Sequence, residues 1–223
     1  MITTRLTRCN SAELNKNSSD GITLIELIIV IFVIGMLTMI LVSDFPKIQR
    51  QYALSSATYK LSQDLRKTED MGLSGVPIND QNATPIAVKG YGIYFNRTQS
   101  PTKYLIYADV AAGPLAKQYD GDFTTLCSNE TGNVISDCII ETVDISNVSQ
   151  GGNSSLSISN ITDYNGGNSY INNGVSINFN PPNPTTTITT NPILNGSIIK
   201  INLFNGLTTR TVEVNISGLI NVQ

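Results

Sequence analysis

The 223-residue chain has no histidine and only three cysteines, and its basic residues are few and unevenly placed. Without histidine there is no imidazole triad, proton shuttle or imidazole metal site. No CxxC pair, Walker loop or dinucleotide fingerprint occurs either, so the residues point to no enzyme and no cofactor. From Gln118 to Ile199 there is no Lys or Arg, against Asp120, Asp122, Glu130, Asp137, Glu141, Asp144 and Asp163. Affinity for nucleic acid rests mostly on cations that neutralise phosphates, so a nucleic-acid partner is not expected.

Against this sparse chemistry stands one concentrated feature. A polar leader ends at Asp20-Gly21, and Ile22–Val42 follows as an apolar run whose single charge is Glu26. Its 21 residues would span about 31 Å as a helix, the thickness of a bilayer core. The run is too long for a signal-peptide h-region and no small-x-small cleavage site follows it. A carboxylate inside a membrane helix costs roughly 2.5–3.5 kcal/mol on insertion scales, so a partner is expected. No Lys or Arg lies within two helical turns of Glu26. Cutting the chain after Gly21 would create the missing cation as an α-amino group on Ile22. Glycine suits such a cut, since a residue without Cβ lets a protease approach the backbone. The bland alternative is a signal anchor with an accidental glutamate near its cytoplasmic end, where side chains snorkel.

Gly21-Ile22-Thr23-Leu24-Ile25-Glu26-Leu27 resembles the processing site of type IV prepilins and type II secretion pseudopilins. The resemblance implies cleavage between Gly21 and Ile22 by a membrane-bound prepilin peptidase, N-methylation of Ile22, and an assembly role for Glu26. It departs from the family pattern at two places, with Ile22 where phenylalanine is usual and Asp20 where a basic residue is common. The implied partners are the peptidase, other pilins or pseudopilins and the inner membrane. The implied location is that membrane, crossed once, with the globular domain outside the cytoplasm. The basic residues Arg5, Arg8 and Lys16 before the run are balanced by Lys47, Arg50 and Lys60 after it, so charge alone does not orient the helix.

Beyond Val42, Pro46 removes a backbone donor and predicts a kink or a locally melted turn. The helix is then expected to resume, because Leu54, Ala57, Leu61, Leu65 and Thr68 follow 3-4-4-3 spacing. This stripe suits packing on a sheet of its own domain better than a coiled coil. Gly72, Gly75 and Pro77 end the helix. Strand signals follow: 91–95 and 103–107 read as a hairpin, and Val175–Phe179 as a strand stopped by a proline run. Ser197–Phe204 and Thr209–Val214 read as a second hairpin, with Asn205-Gly206 favouring a type I′ turn. Residues 146–173 read as loop with weak strands, and Gly218–Val222 as a short terminal strand.

These signals predict an α+β fold, a long N-terminal helix, half transmembrane and half amphipathic, packed on a mainly antiparallel β-sheet domain. The divisions are a leader over 1–21, a membrane helix over 22–42, its amphipathic continuation over 43–75 and a β-rich domain over 76–223. Residues 175–179, the late hairpin and 212–218 are similar to the β-rich domain of GspH/FimT-type minor pseudopilins. The implied function is therefore a structural subunit of a type II secretion or type IV pilus-like filament. The alternatives are a minor pilin of a type IV or competence pilus, and a membrane-anchored adhesion or binding module. Some FimT-side relatives bind DNA through basic residues near the C-terminus, but Leu219–Gln223 holds no cation.

Cys9 leaves with the leader, while Cys127 and Cys138 flank a turn-rich segment. A hairpin over 123–142 would set the two thiols opposite one another, and outside the cytoplasm an even pair reads as a disulfide. Asp120-Gly121-Asp122, with Glu130, is the most metal-like cluster. It falls short of the six or more oxygens that calcium takes and reads as an acidic turn, so no metal is expected.

Overall fold

The computed structural model describes residues 21–79, 85–110, 118–119, 137–148, 155–164, 168–170, 174–181, 185–190 and 197–223. By compactness the chain divides into Met1–Phe45 and Pro46–Gln223. One helix, α1 (Leu24–Ser74, 51 residues), begins in the first unit and continues in the second. Pro46 lies inside it without loss of a helical turn, so the melted turn expected there is not formed. A proline forfeits one backbone hydrogen bond, and the neighbouring helical hydrogen bonds keep the residues around it helical.

Within Pro46–Gln223, the expected stripe of α1 is the buried face: Leu54, Ala57, Leu61, Leu65 and Thr68 are all sequestered. The helix closes on Gly75, whose φ of 57° is left-handed and whose N–H donates to the Met71 carbonyl at 3.1 Å. Glycine adopts that conformation without steric cost, which makes it the natural helix terminator.

Two five-stranded sheets build the domain, and every described strand pairing is antiparallel. The first has the order β5 (Cys138–Asp144), β4 (Lys103–Asp109), β3 (Gly90–Asn96), β8 (Gly174–Asn180), β9 (Thr185–Thr190). The second has the order β12 (Ile220–Val222), β11 (Thr209–Asn215), β10 (Ile198–Phe204), β6 (Ser157–Tyr164), β7 (Asn168–Tyr170). Two-residue strands β1 (Ile78–Asn79) and β2 (Pro85–Ile86) pair separately.

Period-two alternation decides which side chains turn inward. Ile93, Phe95, Tyr104, Ile106, Val175, Ile177 and Phe179 from the first sheet join Ile199, Ile201, Leu203, Val212 and Val214 from the second. The helical stripe completes this shared core. The fold is thus the expected α+β arrangement, with the helix segregated onto antiparallel sheet.

Three local readings change. Residues 157–164 are not weak: β6 is eight residues long and pairs with the central strand β10. Its inward residues Ile158 and Ile161 are three apart, which hides the alternation. The register with β10 runs Ile161 to Ile201, Asn160 to Asn202, then Ile158 to Leu203, so Ser159 is a bulged residue and both isoleucines face the core. The late hairpin forms, but its loop is four residues, Asn205–Thr208, between the closing pair Phe204 and Thr209. The Asn205 carboxamide oxygen accepts from the backbone N–H of Leu207 (2.9 Å) and Thr208 (2.8 Å), which replaces the two-residue type I′ turn. Third, the threonine run Thr185–Thr190 forms an additional edge strand after the prolines.

The central strands β3, β4 and β8 of the first sheet are buried on both faces. On the face away from the main core, Leu105 and Tyr107 are fully covered and the Tyr119 ring lies 4.8 Å from Tyr94 and 5.1 Å from Tyr107. Tyr119 also donates its backbone N–H to Ser176 Oγ at 3.0 Å.

Candidate functional site: the start of the apolar helix

The site begins with a helix cap. Thr23 precedes the first helical residue, Leu24, and Glu26 stands three positions after it. Glu26 N–H donates to Thr23 Oγ1 at 3.3 Å, and the Glu26 carboxylate reaches back to within 3.5 Å of Thr23 N and Oγ1. This is the reciprocal arrangement of a capping box, in which two orphan donors of the first turn are satisfied together. A carboxylate there is also favoured by the positive end of the helix dipole. Glu26 is therefore not without local support in the intact chain, as reading its charge alone suggests. The Thr23-x-x-Glu26 spacing was the available signal.

Gly21 and Ile22 precede this cap outside the helix, and Ile22 is 75% exposed. Along Leu24–Phe45 every side chain is exposed, including Ile25, Phe32, Leu37 and Leu41. Thr38, a polar residue in the run, turns its hydroxyl back on the Ile34 and Gly35 carbonyls at 3.0 and 2.9 Å. That back-bonding leaves no side-chain donor facing outward from Thr38. By length and composition the helix can cross a membrane, as a membrane anchor or as a signal sequence.

The remaining expected sites are spread elsewhere. Cys138 opens β5, is fully buried and is disulfide-bonded. Cys127, the acidic turn Asp120 and Asp122, and Glu130 lie outside the described residues. Among the described residues no group of three His, Cys, Asp or Glu side chains comes together to hold a metal ion.

Two buried polar groupings escaped the sequence reading. Asp64, on the buried side of α1, accepts from Tyr104 Oη at 2.5 Å and pairs with Lys60 Nζ at 3.1 Å. Burial, and then the hydrogen bond to Asp64, push the Tyr104 phenol well above its ordinary range. On the other face of the first sheet, Asn178 donates to Asp109 at 2.8 Å, and Asp137 accepts from Val110 N–H at 3.0 Å. Full burial, then the charge of Asp137, raise the Tyr107 phenol. Apart from Lys60 with Asp64, four positions apart on the helix, these contacts join residues 27 to 74 positions apart, including Lys67 with Glu141 at 3.2 Å, so no local pattern announces them. None supplies a nucleophile set against a base.

One long N-terminal helix, apolar at its start and packed farther along on an antiparallel β-domain, is a pilin-like architecture. No family model, no curated protein and no solved structure matches the chain.

Proposed function

We propose that the chain is a minor pseudopilin, made as a single-pass membrane precursor, cut between Gly21 and Ile22 and assembled through its N-terminal helix into a filament of a type II secretion or type IV pilus-like machine. The observation that carries this reading is the junction itself. A glycine, a capped helix start and a single carboxylate stand at the head of an apolar segment that the chain leaves uncovered. Removing residues 1–21 leaves Thr23 and its cap intact and creates an amine four residues before Glu26. That amine, N-methylated on Ile22, or the same group of a neighbouring chain, supplies the cation the carboxylate otherwise lacks. Cleavage then couples processing to lateral association of the helices.

The function is assembly rather than catalysis. The β-domain supplies the partner-specific surface, and its acidic character disfavours nucleic acid. A disulfide between Cys127 and Cys138 would brace the segment between β4 and β5, as befits a domain outside the cytoplasm.

Mass spectrometry of the chain co-expressed with a prepilin peptidase tests the reading. The expected product begins at Ile22 and carries one added methyl group. A product that retains residues 1–21, or one cut elsewhere, sinks it. Glu26→Leu is expected to leave the cut intact while abolishing co-purification with other pilin-like chains. Unchanged co-purification would remove the pairing role and favour a membrane-anchored adhesion module.

A further inference from the structure

The tip of the β10–β11 hairpin is tied to the helix. Asn205 Nδ2 donates to the Arg50 carbonyl at 2.9 Å, and this holds the loop against the turn of α1 that carries Ile48 and Tyr52. Beside the tie runs a groove of about 490 Å³, lined by Ile48, Gln51, Tyr52 and Ser55 on the helix and by Thr208 and Arg210 on the hairpin. All of these residues belong to the unit Pro46–Gln223. Ile48 and Tyr52 are 61% and 76% exposed, which gives the groove an apolar lip. Its charge is positive. Residues 46–63 and 205–211 contain no acid, and Arg210 has no carboxylate partner among the described residues.

The complement lies elsewhere in the same chain. Of the seven acids between Gln118 and Ile199, four are committed within the domain: Asp137 and Asp163 are buried, Glu141 pairs with Lys67 and Asp144 with Lys103. The other three are Asp120, Asp122 and Glu130, and Phe123 follows Asp122. We propose that the groove docks the acidic segment Asp120–Phe123 of a second copy of the chain. An extended peptide sets residues two apart on one side, so both aspartates can meet one wall. The Arg210 guanidinium takes one carboxylate, the hydroxyls of Ser55 and Thr208 donate to the other, and Phe123 covers Ile48 and Tyr52. The same chain's own segment does not reach. Tyr119 lies on the face of the first sheet away from the main core, against Tyr94 and Tyr107, whereas α1 packs on the core side. Asp122 is three residues past Tyr119, a reach of at most about 11 Å. Layers stack about 10 Å from a sheet, so Tyr119 and the helix lie roughly 15–20 Å apart. Each docking leaves one groove and one segment unused, so the contact is head-to-tail and repeats. The inference rests on the proposed assembly role and gives it a contact between domains that is separate from Glu26.

The full chain, mixed as isotope-labelled and unlabelled protein in detergent micelles, carries a photo-crosslinking benzoylphenylalanine in place of Tyr52. The expected product joins position 52 to the peptide holding Asp120–Phe123 in mixed labelled–unlabelled pairs. Arg210→Glu should lower its yield about fivefold, as should Asp122→Arg, and the two changes in one chain should restore it. Links found only within single chains would overturn the proposal. So would links to other segments, no link, or a yield that charge reversal leaves unchanged. Glu26→Leu should leave the link in place, and a link that vanishes with it would belong to helix pairing and overturn the docking. Absence of the link in chains correctly cut at Gly21 refutes the docking alone. Its presence in chains that the peptidase leaves uncut refutes the processing reading alone.

Discussion

The two stretches of α1 divide at Phe45 and are both rich in apolar residues, yet they meet opposite fates. From Leu24 to Phe45 apolar side chains point in every direction and all are exposed. From Leu54 to Leu65 the stripe Leu54, Ala57, Leu61 and Leu65 recurs every three or four residues and is buried in the core shared by two sheets, while Gln51, Tyr59, Gln63 and Arg66 stay outside. Periodicity, not hydrophobicity, separates a helix that its own domain can cover from one that must find lipid or other helices. The second stretch thus contributes buried apolar surface to the domain, and the first contributes none.

The largest expected effect is therefore asymmetric. Leu61→Ala should destabilise the domain by about 2–5 kcal/mol, since it empties a fully buried site, whereas Ile34→Ala should stay within about 0.5 kcal/mol. Urea unfolding in detergent micelles measures both, and equal losses would erase the distinction. Next comes Tyr104→Phe, which deprives buried Asp64 of a 2.5 Å hydrogen bond and should cost about 1.5–3 kcal/mol at neutral pH.

The same variant carries a pH signature. Burial raises the phenols of Tyr104 and Tyr107, so the folded chain keeps protons that the unfolded chain releases near pH 10. Their contribution is whole below that pH and is lost as pH rises above it, by up to about 1.4 kcal/mol per pH unit for each tyrosine. Tyr91 is also raised by burial, and Tyr104→Phe should remove one of these contributions and flatten the alkaline unfolding curve. An unaltered slope would show that this phenol does not govern alkaline stability.

Gly72→Ala sharpens the comparison at the end of the buried stretch. A Cβ there would stand 2.6 Å from the Phe179 carbonyl oxygen and 2.8 Å from Phe179 Cβ, so backbone must shift. A loss of about 1–3 kcal/mol is expected, read as a lower thermal midpoint. The smallest expected loss that is still to be seen, beyond the near-silent Ile34→Ala, belongs to the exposed stretch. Thr23→Ala should cost about 1 kcal/mol at the first turn, seen as faster amide exchange at Glu26 and Leu27 with an unchanged unfolding midpoint.

Much of this arrangement is legible residue by residue. The stripe from Leu54 to Thr68, the β3–β4 hairpin, β8 and the β10–β11 pairing all follow from local periodicity. Strand β6 was hidden because the Ser159 bulge breaks the alternation that sequence reading relies on. Strand β9 was hidden because Thr185–Thr190 has almost no apolar residue to alternate, and the pairing with β8 defines it. The late loop departed from type I′ because Asn205 serves two structures at once. Its carboxamide oxygen closes the loop and its nitrogen reaches the Arg50 carbonyl, 155 residues away. At the candidate site, the glycine, the apolar run and the lone Glu26 are plain in the sequence, and the cap from Thr23 is plain once its spacing is noticed.

By itself, the sequence determined the apolar helix, its one charge, its amphipathic continuation and an α+β class, because each depends on neighbours within a few residues along the chain. The tertiary structure alone decided that two sheets share the helical stripe, that Tyr104 meets Asp64, and that the tip of the β10–β11 hairpin is tied through Asn205 to the Arg50 carbonyl of α1. Those contacts join residues tens to more than a hundred positions apart. Their formation depends on strand order and register, which no local period encodes.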